Sequence, residues 1–160
     1  MEKIKTCSFT GHRQIRTEDK ESLESLLMRG VKYAYGQGCR RFLTGGAIGF
    51  DTMAALAVLA LRDSYPDVRL VLVLPCKDQD RYFSPEQKKA YKTVKKRADE
   101  IIYTSEVYTE GCMLVRNRYL AEQADIMLAY LYRERSGASQ TVRLARENGA
   151  VVYNLCQRSS

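Results

Sequence analysis

Short apolar runs alternate with longer segments of helical spacing along the chain. Within residues 18–35, apolar side chains recur every three or four positions, which places them on one face of a helix. Those positions are Leu23, Leu27, Val31 and Ala34. Residues 68–74 are apolar except for Arg69, which is typical of a strand covered on both faces. The pattern therefore indicates strands and helices in alternation.

This alternation predicts five strand–helix pairs and a closing strand. The strands are predicted at residues 4–10, 41–44, 68–74, 100–104, 125–130 and 150–155. The helices are predicted at residues 18–35, 52–64, 112–124 and 139–148, with one more that begins at Pro85 behind a Ser84 cap. We expect one α/β domain, residues 1–160, with a mostly parallel sheet and helices on both faces. Because such sheets bind ligands at the carboxyl ends of their strands, the loops that follow those ends are candidate sites.

The loop TGGAIGFD, residues 44–51, joins the second strand to the second helix. Gly45, Gly46 and Gly49 let backbone N–H groups approach an anion with no Cβ in the way. The loop is neither a Walker A sequence nor the G-x-G-x-x-G dinucleotide motif. Either phosphate contact or a tight turn alone would explain the glycines, and we expect residues 45–49 to be the phosphate cradle of the ligand. Asp51 is explained either as a helix N-cap or as an acceptor for ribose hydroxyls.

A second loop of small residues, RSGASQT at 135–141, precedes the last helix. Gly137 and Ala138 would leave the first N–H groups of that helix open to the same crevice. Ser139 is either a ligand contact or a simple N-cap. Two such loops at one crevice would suit a nucleotide, which presents both a phosphate and a sugar.

Four basic or titratable side chains lie near these loops. Arg13 follows the first strand and is a natural partner for an anion. His12, the single histidine of the chain, is either structural or catalytic. Arg116 and Arg118 come just after the start of the fourth helix, where a cation opposes the helix dipole. Each of these two arginines either meets an anion or faces solvent.

The net charge of +7 raises the question of a nucleic-acid partner. The most basic run, residues 88–97, places Tyr91, Val94 and Ala98 on a buried stripe. The lysines expected on the outer face are Lys88, Lys92, Lys95 and Lys96. This distribution is typical of an ordinary solvated helix, so the charge does not require nucleic acid.

The five cysteines are scattered and form no C-x-x-C pair. This spacing predicts neither a zinc site nor a disulfide framework, and it favours the reducing cytoplasm. The longest apolar run, residues 53–61, is too short to cross a bilayer, and no signal segment is expected. We therefore expect no metal, no cofactor and no membrane contact.

Several motifs occur together in the order of one known family. They are SFTGHR, GGAIGFDTMAALAV, LVLVLP, VRNRYLAEQADIMLAY and SGASQTVRLARENG. Over nearly its whole length the chain resembles the YpsA-like proteins of the SLOG superfamily, which also holds the DNA-processing protein DprA and the LOG phosphoribohydrolases. The resemblance implies a Rossmann-like fold and a nucleotide-derived ligand, such as an ADP-ribose-like molecule.

Two departures from the superfamily affect the expected activity. The LOG enzymes break an N-glycosidic bond with an arginine and a glutamate, and Arg116 matches the arginine. Residues 142–144 carry no acid where the glutamate is expected, and Glu147 lies a turn farther along. Ala55 stands where DprA has a histidine. The resemblance therefore favours neither hydrolysis by the LOG route nor DNA binding.

We expect a protein that binds or senses a nucleotide-derived small molecule. One alternative is an N-glycosidic hydrolase of nucleotides that uses Arg116 with an acid not identified in the sequence. Another is single-stranded nucleic-acid binding through residues 88–97, with help from Tyr82 and Phe83. The oligomeric state, including a homo-oligomer, stays open. The predicted ligand-binding residues are Thr10, Gly11, Arg13, Gly45, Gly46, Gly49, Asp51, Arg116, Asn117, Gly137, Ala138, Ser139 and Thr141.

Overall fold

The computed structural model describes residues 4–156, so both ends of the predicted 1–160 domain lie outside the described residues. Six strands form one sheet: β1 Lys5–Gly11, β2 Cys39–Thr44, β3 Arg69–Leu74, β4 Glu100–Tyr103, β5 Ile126–Tyr130 and β6 Val151–Asn154. Five α-helices connect them: α1 Lys20–Gly36, α2 Phe50–Ser64, α3 Pro85–Arg97, α4 Cys112–Gln123 and α5 Gly137–Glu147. The α/β alternation predicted from the sequence is confirmed.

All neighbouring strands of the sheet are parallel, in the order β4-β3-β2-β1-β5-β6. The chain builds the sheet outward from β1 to β4 and then returns to place β5 on the other side of β1. Phe9 of β1 therefore lies opposite Leu128 of β5, more than a hundred residues later. In sheets of this kind, the reversal of strand order opens a crevice between the loops that follow the two strands.

Helices cover both faces of the sheet. On one face, α1, α2 and α3 bury a large apolar core that includes Phe9, Phe42 and Phe50. On the other face, α4 and α5 pack on a smaller cluster that includes Met127 and Val142. Burial of both faces explains why the strand segments are apolar runs and do not alternate with polar residues.

Helix starts are the elements that the sequence predicts least well. The capping box at Ser84 is confirmed, because the Ser84 hydroxyl accepts from the Gln87 N–H at 3.2 Å and the Gln87 side chain accepts from the Ser84 N–H at 2.8 Å. The prediction of Asp51 as an N-cap is wrong. Gly49, with φ of 78°, is the cap, and Asp51 is the second residue of α2.

The cap predicted at Ser139 is also wrong, because α5 begins two residues earlier. Ser136 caps α5, and Ser139 completes a capping box with it. A short 3-10 turn, Thr17–Asp19, also replaces the first turn predicted for α1. Local sequence allows several capping serines and aspartates, and the tertiary path of the loop selects among them.

Candidate ligand crevice

A cavity of about 310 Å³, called here the crevice, opens at the carboxyl ends of β1 and β5. Its walls come from the loop after β1, the start of α2, the first turns of α4 and the start of α5. Eight of the predicted ligand-binding residues line it: Thr10, Gly11, Arg13, Asp51, Arg116, Asn117, Gly137 and Ala138. Five lie outside its lining: Gly45, Gly46, Gly49, Ser139 and Thr141.

The three glycines of the 44–51 loop pack against protein. Gly46 has φ of 71°, and a Cβ there would lie 2.6 Å from Leu74 Cδ2. Gly49 also has a positive φ, and a Cβ there would overlap the Arg13 carbonyl. The carbonyl of Gly45 accepts a hydrogen bond from Arg116 Nη1 at 2.5 Å. These contacts give each glycine a structural reason that involves no ligand.

Two backbone N–H groups near the start of α2 bond within the protein. The Phe50 N–H donates to the His12 carbonyl at 3.2 Å. The Ala47 N–H donates to Asp51 Oδ2 at 3.2 Å. Ala47 and Asp51 line the crevice on this side, and the Asp51 carboxylate repels an anion.

The start of α5 carries no acidic side chain in its first turn. The Ser139 N–H donates to the Ser136 hydroxyl at 3.0 Å, and the Gln140 N–H donates to the Ser136 carbonyl at 3.2 Å. These bonds leave the Gly137 and Ala138 N–H groups, which have no partner within a helix, at the wall of the crevice. Thr141 is buried, and its hydroxyl donates to the Gly137 carbonyl at 2.8 Å.

Arg116 is held inside the protein. Only 4% of its surface is exposed, and its guanidinium donates to Gly45, to Gln79 Oε1 at 3.4 Å and to Asn117 Oδ1 at 2.7 Å. Burial lowers the pKa of this guanidinium, while the charge of Asp51 raises it. By contrast, Arg118 is exposed and is not among the residues that line the crevice.

Asp51 is the carboxylate of the crevice. Burial raises its pKa to about 6, and the nearby Arg116 guanidinium and the Ala47 N–H oppose that rise. A Cβ at Gly45 would lie 2.8 Å from Arg116 Cζ and 2.9 Å from Asp51 Oδ2. Both charged groups therefore flank the bare α-carbon of Gly45, which explains why a side chain has no room there.

His12 joins the two strands of the crevice. Its Nε2 accepts hydrogen bonds from the Tyr132 N–H at 3.1 Å and the Arg133 N–H at 3.3 Å. Burial lowers its pKa to about 4, and the charges of Arg133 and Arg16 add to the effect. A neutral imidazole that accepts twice at Nε2 carries its proton on Nδ1. The position of His12 fits the structural interpretation.

Arg133 is a crevice residue that the sequence does not single out. It lies after β5 and lines the crevice together with Arg13 and Arg116. The available signal was a basic residue two positions before the small-residue loop 135–141. The residues that line the crevice include these three arginines and one carboxylate, Asp51. The excess of positive charge favours an anion in the crevice.

The carboxylate needed for LOG-type hydrolysis does not come from α5. Glu147 is the last residue of α5 and is exposed. Within residues 4–156, no cluster of three or more histidine, cysteine, aspartate or glutamate side chains is arranged to hold a metal ion. None of the helices in that range is long and apolar enough to cross a membrane.

The basic helix α3 largely follows the predicted wheel. Tyr91 and Val94 are buried, and Lys92 and Lys96 are exposed. Lys88 and Lys95 are half-buried, because their aliphatic stems cover the edge of the apolar stripe. The nearest cation–π contact is that of Lys95 Nζ, 5.2 Å from the centre of the Tyr91 ring.

Comparison with known proteins places the chain in a group of bacterial proteins. The YpsA family model, described as the YspA SLOG family, matches residues 8–150. The SPbeta prophage-derived protein YoqJ of Bacillus subtilis is 28% identical over 137 residues, which are 78% of this chain and 76% of YoqJ. A UPF0398 protein of Bacillus thuringiensis is 22% identical and covers 82% of this chain and 73% of its own length.

Two solved DprA structures share the fold. The Helicobacter pylori protein, whose structure describes a single-stranded DNA binding mode, has a TM-score of 0.67 at 20% identity and covers 96% of this chain. The Streptococcus pneumoniae protein has a TM-score of 0.64 at 18% identity and covers 93%. This chain spans 66% of the former DprA chain and 49% of the latter.

Proposed function

The chain belongs to the YpsA family of SLOG proteins, and we propose that its crevice binds a nucleotide-derived small molecule through a phosphate. One observation carries the proposal. Arg13, Arg116 and Arg133 line the same cavity as the free N–H groups of Gly137 and Ala138. Arginines and helix N-termini both bind phosphate groups in proteins.

The start of α5 is the better phosphate cradle of the two loops. Its dipole and its two free N–H groups attract an anion, whereas the start of α2 presents the Asp51 carboxylate to the crevice. The phosphate then lies near Gly137 and Ala138, and Asp51 is left to accept hydrogen bonds from ribose hydroxyls. Gly45, Gly46 and Gly49 keep the buried Arg116 and α2 in place. We place this activity in the cytoplasm, which the scattered cysteines of the sequence favour.

A thermal-shift and calorimetric panel tests the proposal. AMP, ADP, ADP-ribose and NAD are compared with adenosine, which lacks the phosphate. A ligand present at about 100 times its dissociation constant adds roughly 2.7 kcal/mol to stability. We expect at least one phosphorylated compound to raise the melting temperature and adenosine to raise it less.

Matched arginine variants locate the site. A charge-assisted hydrogen bond contributes about 1.5–3 kcal/mol, so Arg133→Gln should weaken the best ligand about tenfold or more. Arg118→Gln, an exposed arginine outside the crevice, is the control and should bind as the wild type does. Equal affinities for the two variants, or no stabilisation by any compound of the panel, would contradict the proposal.

Hydrolysis of the ligand is the second candidate, because Asp51 is the one carboxylate among the residues that line the crevice. For hydrolysis, Asp51 would take a proton from water as the C1′–O bond forms and the base leaves with the C1′–N electron pair. The hydrogen bond from Ala47 and the nearby Arg116 instead favour the charged carboxylate of Asp51 as an acceptor for the ribose and not as a base. We expect no free adenine from AMP at the ordinary enzyme scale of about 1 per second. Such turnover, if Asp51→Asn abolished it, would establish the hydrolase.

Single-stranded DNA is the occupant suggested by the DprA neighbours. Binding to a nucleic-acid backbone weakens steeply as salt rises, whereas binding of one nucleotide in a closed site weakens only modestly. A titration at two salt concentrations with AMP and an oligonucleotide therefore separates the two occupants.

A further inference from the structure

A second cavity of about 330 Å³ adjoins the crevice. The two cavities share Arg13, Ala47 and Met113 as wall residues. The remaining walls of the second cavity come from the loop after β3, the start of α3 and the loop after β4. A molecule in the crevice can therefore extend past Arg13 into this second space.

The second cavity has aromatic walls with unburied faces. Tyr82 is 87% exposed and Tyr108 is 49% exposed, and both line the cavity. The Arg81 guanidinium lies 4.9 Å from the centre of the Tyr82 ring and 4.6 Å from that of Tyr108. The arginine and the two tyrosines, called here the Tyr82–Tyr108 platform, present flat surfaces of the kind on which nucleic-acid bases stack.

The loops that carry the platform are tied to each other and to the core. The Lys77 N–H donates to the Glu106 carbonyl at 3.3 Å, which ties the loop of Tyr82 to the loop of Tyr108. Phe83, next to Tyr82, packs edge-on against the buried Tyr91 with ring centres 5.4 Å apart. Loops that are already ordered avoid part of the entropy cost of binding.

Polar groups at the edge of the platform can read a base. Gln87 uses its Oε1 to accept from the Ser84 N–H, which leaves its NH₂ group as a donor toward the cavity that Gln87 lines. Gln79 also lines this cavity, and its side chain bonds to Gly45, Tyr91 and Arg116. Gln79 therefore connects the wall of the second cavity directly to the crevice.

We infer that the second cavity is a nucleobase subsite, in which a purine or pyrimidine ring stacks on the Tyr82–Tyr108 platform. This inference rests on the proposed phosphate site for its direction, because Arg133 and the start of α5 line the crevice alone, whereas Arg13 borders both cavities. The ligand is then a small nucleotide that spans both cavities. Each cavity has the volume of a small-molecule site, which favours one nucleotide over a strand.

A probe pair isolates the base. AMP and ribose 5-phosphate carry the same phosphate and sugar and differ by the adenine ring. Base–aromatic stacking contributes about 1–3 kcal/mol per base, so calorimetry should find AMP bound about 5- to 150-fold more tightly by the wild type. Tyr82→Ala should cut the affinity for AMP about fivefold or more and leave that for ribose 5-phosphate unchanged. Tyr82→Phe should keep both affinities.

The control variant is Tyr33→Ala, because Tyr33 is 46% exposed and does not line either cavity. It should bind both probes as the wild type does. Equal affinity of the wild type for AMP and ribose 5-phosphate, or an unchanged affinity of Tyr82→Ala for AMP, would overturn the subsite and leave the phosphate site standing.

If the proposed phosphate site is wrong, the same probes give a pattern of binding that differs from the one that overturns the base subsite. If ribose 5-phosphate does not bind but adenosine does, and Tyr82→Ala abolishes adenosine binding, the phosphate site is wrong and the base subsite stands. If AMP, ribose 5-phosphate and adenosine all fail to bind, the base subsite is wrong, and the phosphate site is wrong too when ADP, ADP-ribose and NAD also fail. If an oligodeoxynucleotide binds more than tenfold more tightly than AMP and loses affinity in Tyr82→Ala, the occupant is single-stranded DNA and the small-nucleotide inference is overturned.

Discussion

Replacement of His12 measures how strongly the two strands of the crevice are joined. His12 Nε2 accepts from the Tyr132 and Arg133 N–H groups, and its ring packs edge-on against Tyr132 with centres 4.2 Å apart. His12→Phe keeps an aromatic ring and removes both acceptor bonds. His12→Gln loses the ring but retains an oxygen acceptor, so it is the matched control.

The magnitude follows from the two donors left without a partner. A buried donor without a partner costs about 1–3 kcal/mol, and both bonds are only partly buried, so each belongs at the low end of that range. We therefore expect the free energy of unfolding at pH 7 to fall by about 2 kcal/mol in His12→Phe. For a chain of this size that loss lowers the melting temperature by roughly 4–8 °C. His12→Gln should lose about half as much or less.

The pH dependence gives an independent check. Burial lowers the pKa of His12 from 6.5 to about 4, so the unfolded chain binds the proton first as pH falls. The contribution of neutral His12 to stability is complete above pH 6.5 and is lost as the pH falls toward 4. Urea denaturation at pH 7 and at pH 5 should find a smaller gap between wild type and His12→Phe at the lower pH. An unchanged gap, or equal stabilities at pH 7, would refute the structural role.

Three further predictions concern charge and backbone conformation. Burial raises the pKa of Asp51 from 3.8 to about 6, so the stability of the wild type falls as the pH rises from about 4 to about 6. Urea denaturation should therefore find Asp51→Asn more stable than the wild type at pH 8 and equally stable near pH 4. Replacing Lys88, Lys92 and Lys95 together with glutamine should change oligonucleotide binding at low salt less than tenfold; a larger loss would favour a nucleic-acid groove. A valine at position 46 would be strained at φ of 71°, so thermal denaturation should find Gly46→Val about 1–3 kcal/mol less stable than the wild type. An unaltered melting temperature would contradict this conformation of Gly46.

The alternation of apolar runs and helical spacing determined the fold class. Each strand and helix is specified by its own local period, so the sequence indicated the parallel sheet and the loops that could carry a site. It also predicted the capping box of Ser84, whose partner lies three residues away. Local signals suffice wherever the interacting groups are close in the chain.

Tertiary structure decided which groups of those loops face the crevice. The sequence treats Arg116 and Arg118 alike, yet the first is buried at the crevice and the second is exposed. It favours the glycines of residues 44–51 over Gly137 as the phosphate cradle. Only the fold shows that the former pack on Leu74 and Arg13, while Gly137 lines the cavity.

Strand order is the physical reason why the sequence predicts the elements but not which of their loops meet. Nothing in the local period of β1 requires β5 as its neighbour, and that pairing brings His12 to Tyr132 and Arg133. The second cavity likewise joins loops after β3 and β4 to Arg13 after β1. Chain periodicity sets what each segment becomes and which face it buries. The long-range packing of the sheet sets which loops meet, and therefore where the charges and aromatic rings of the candidate site converge.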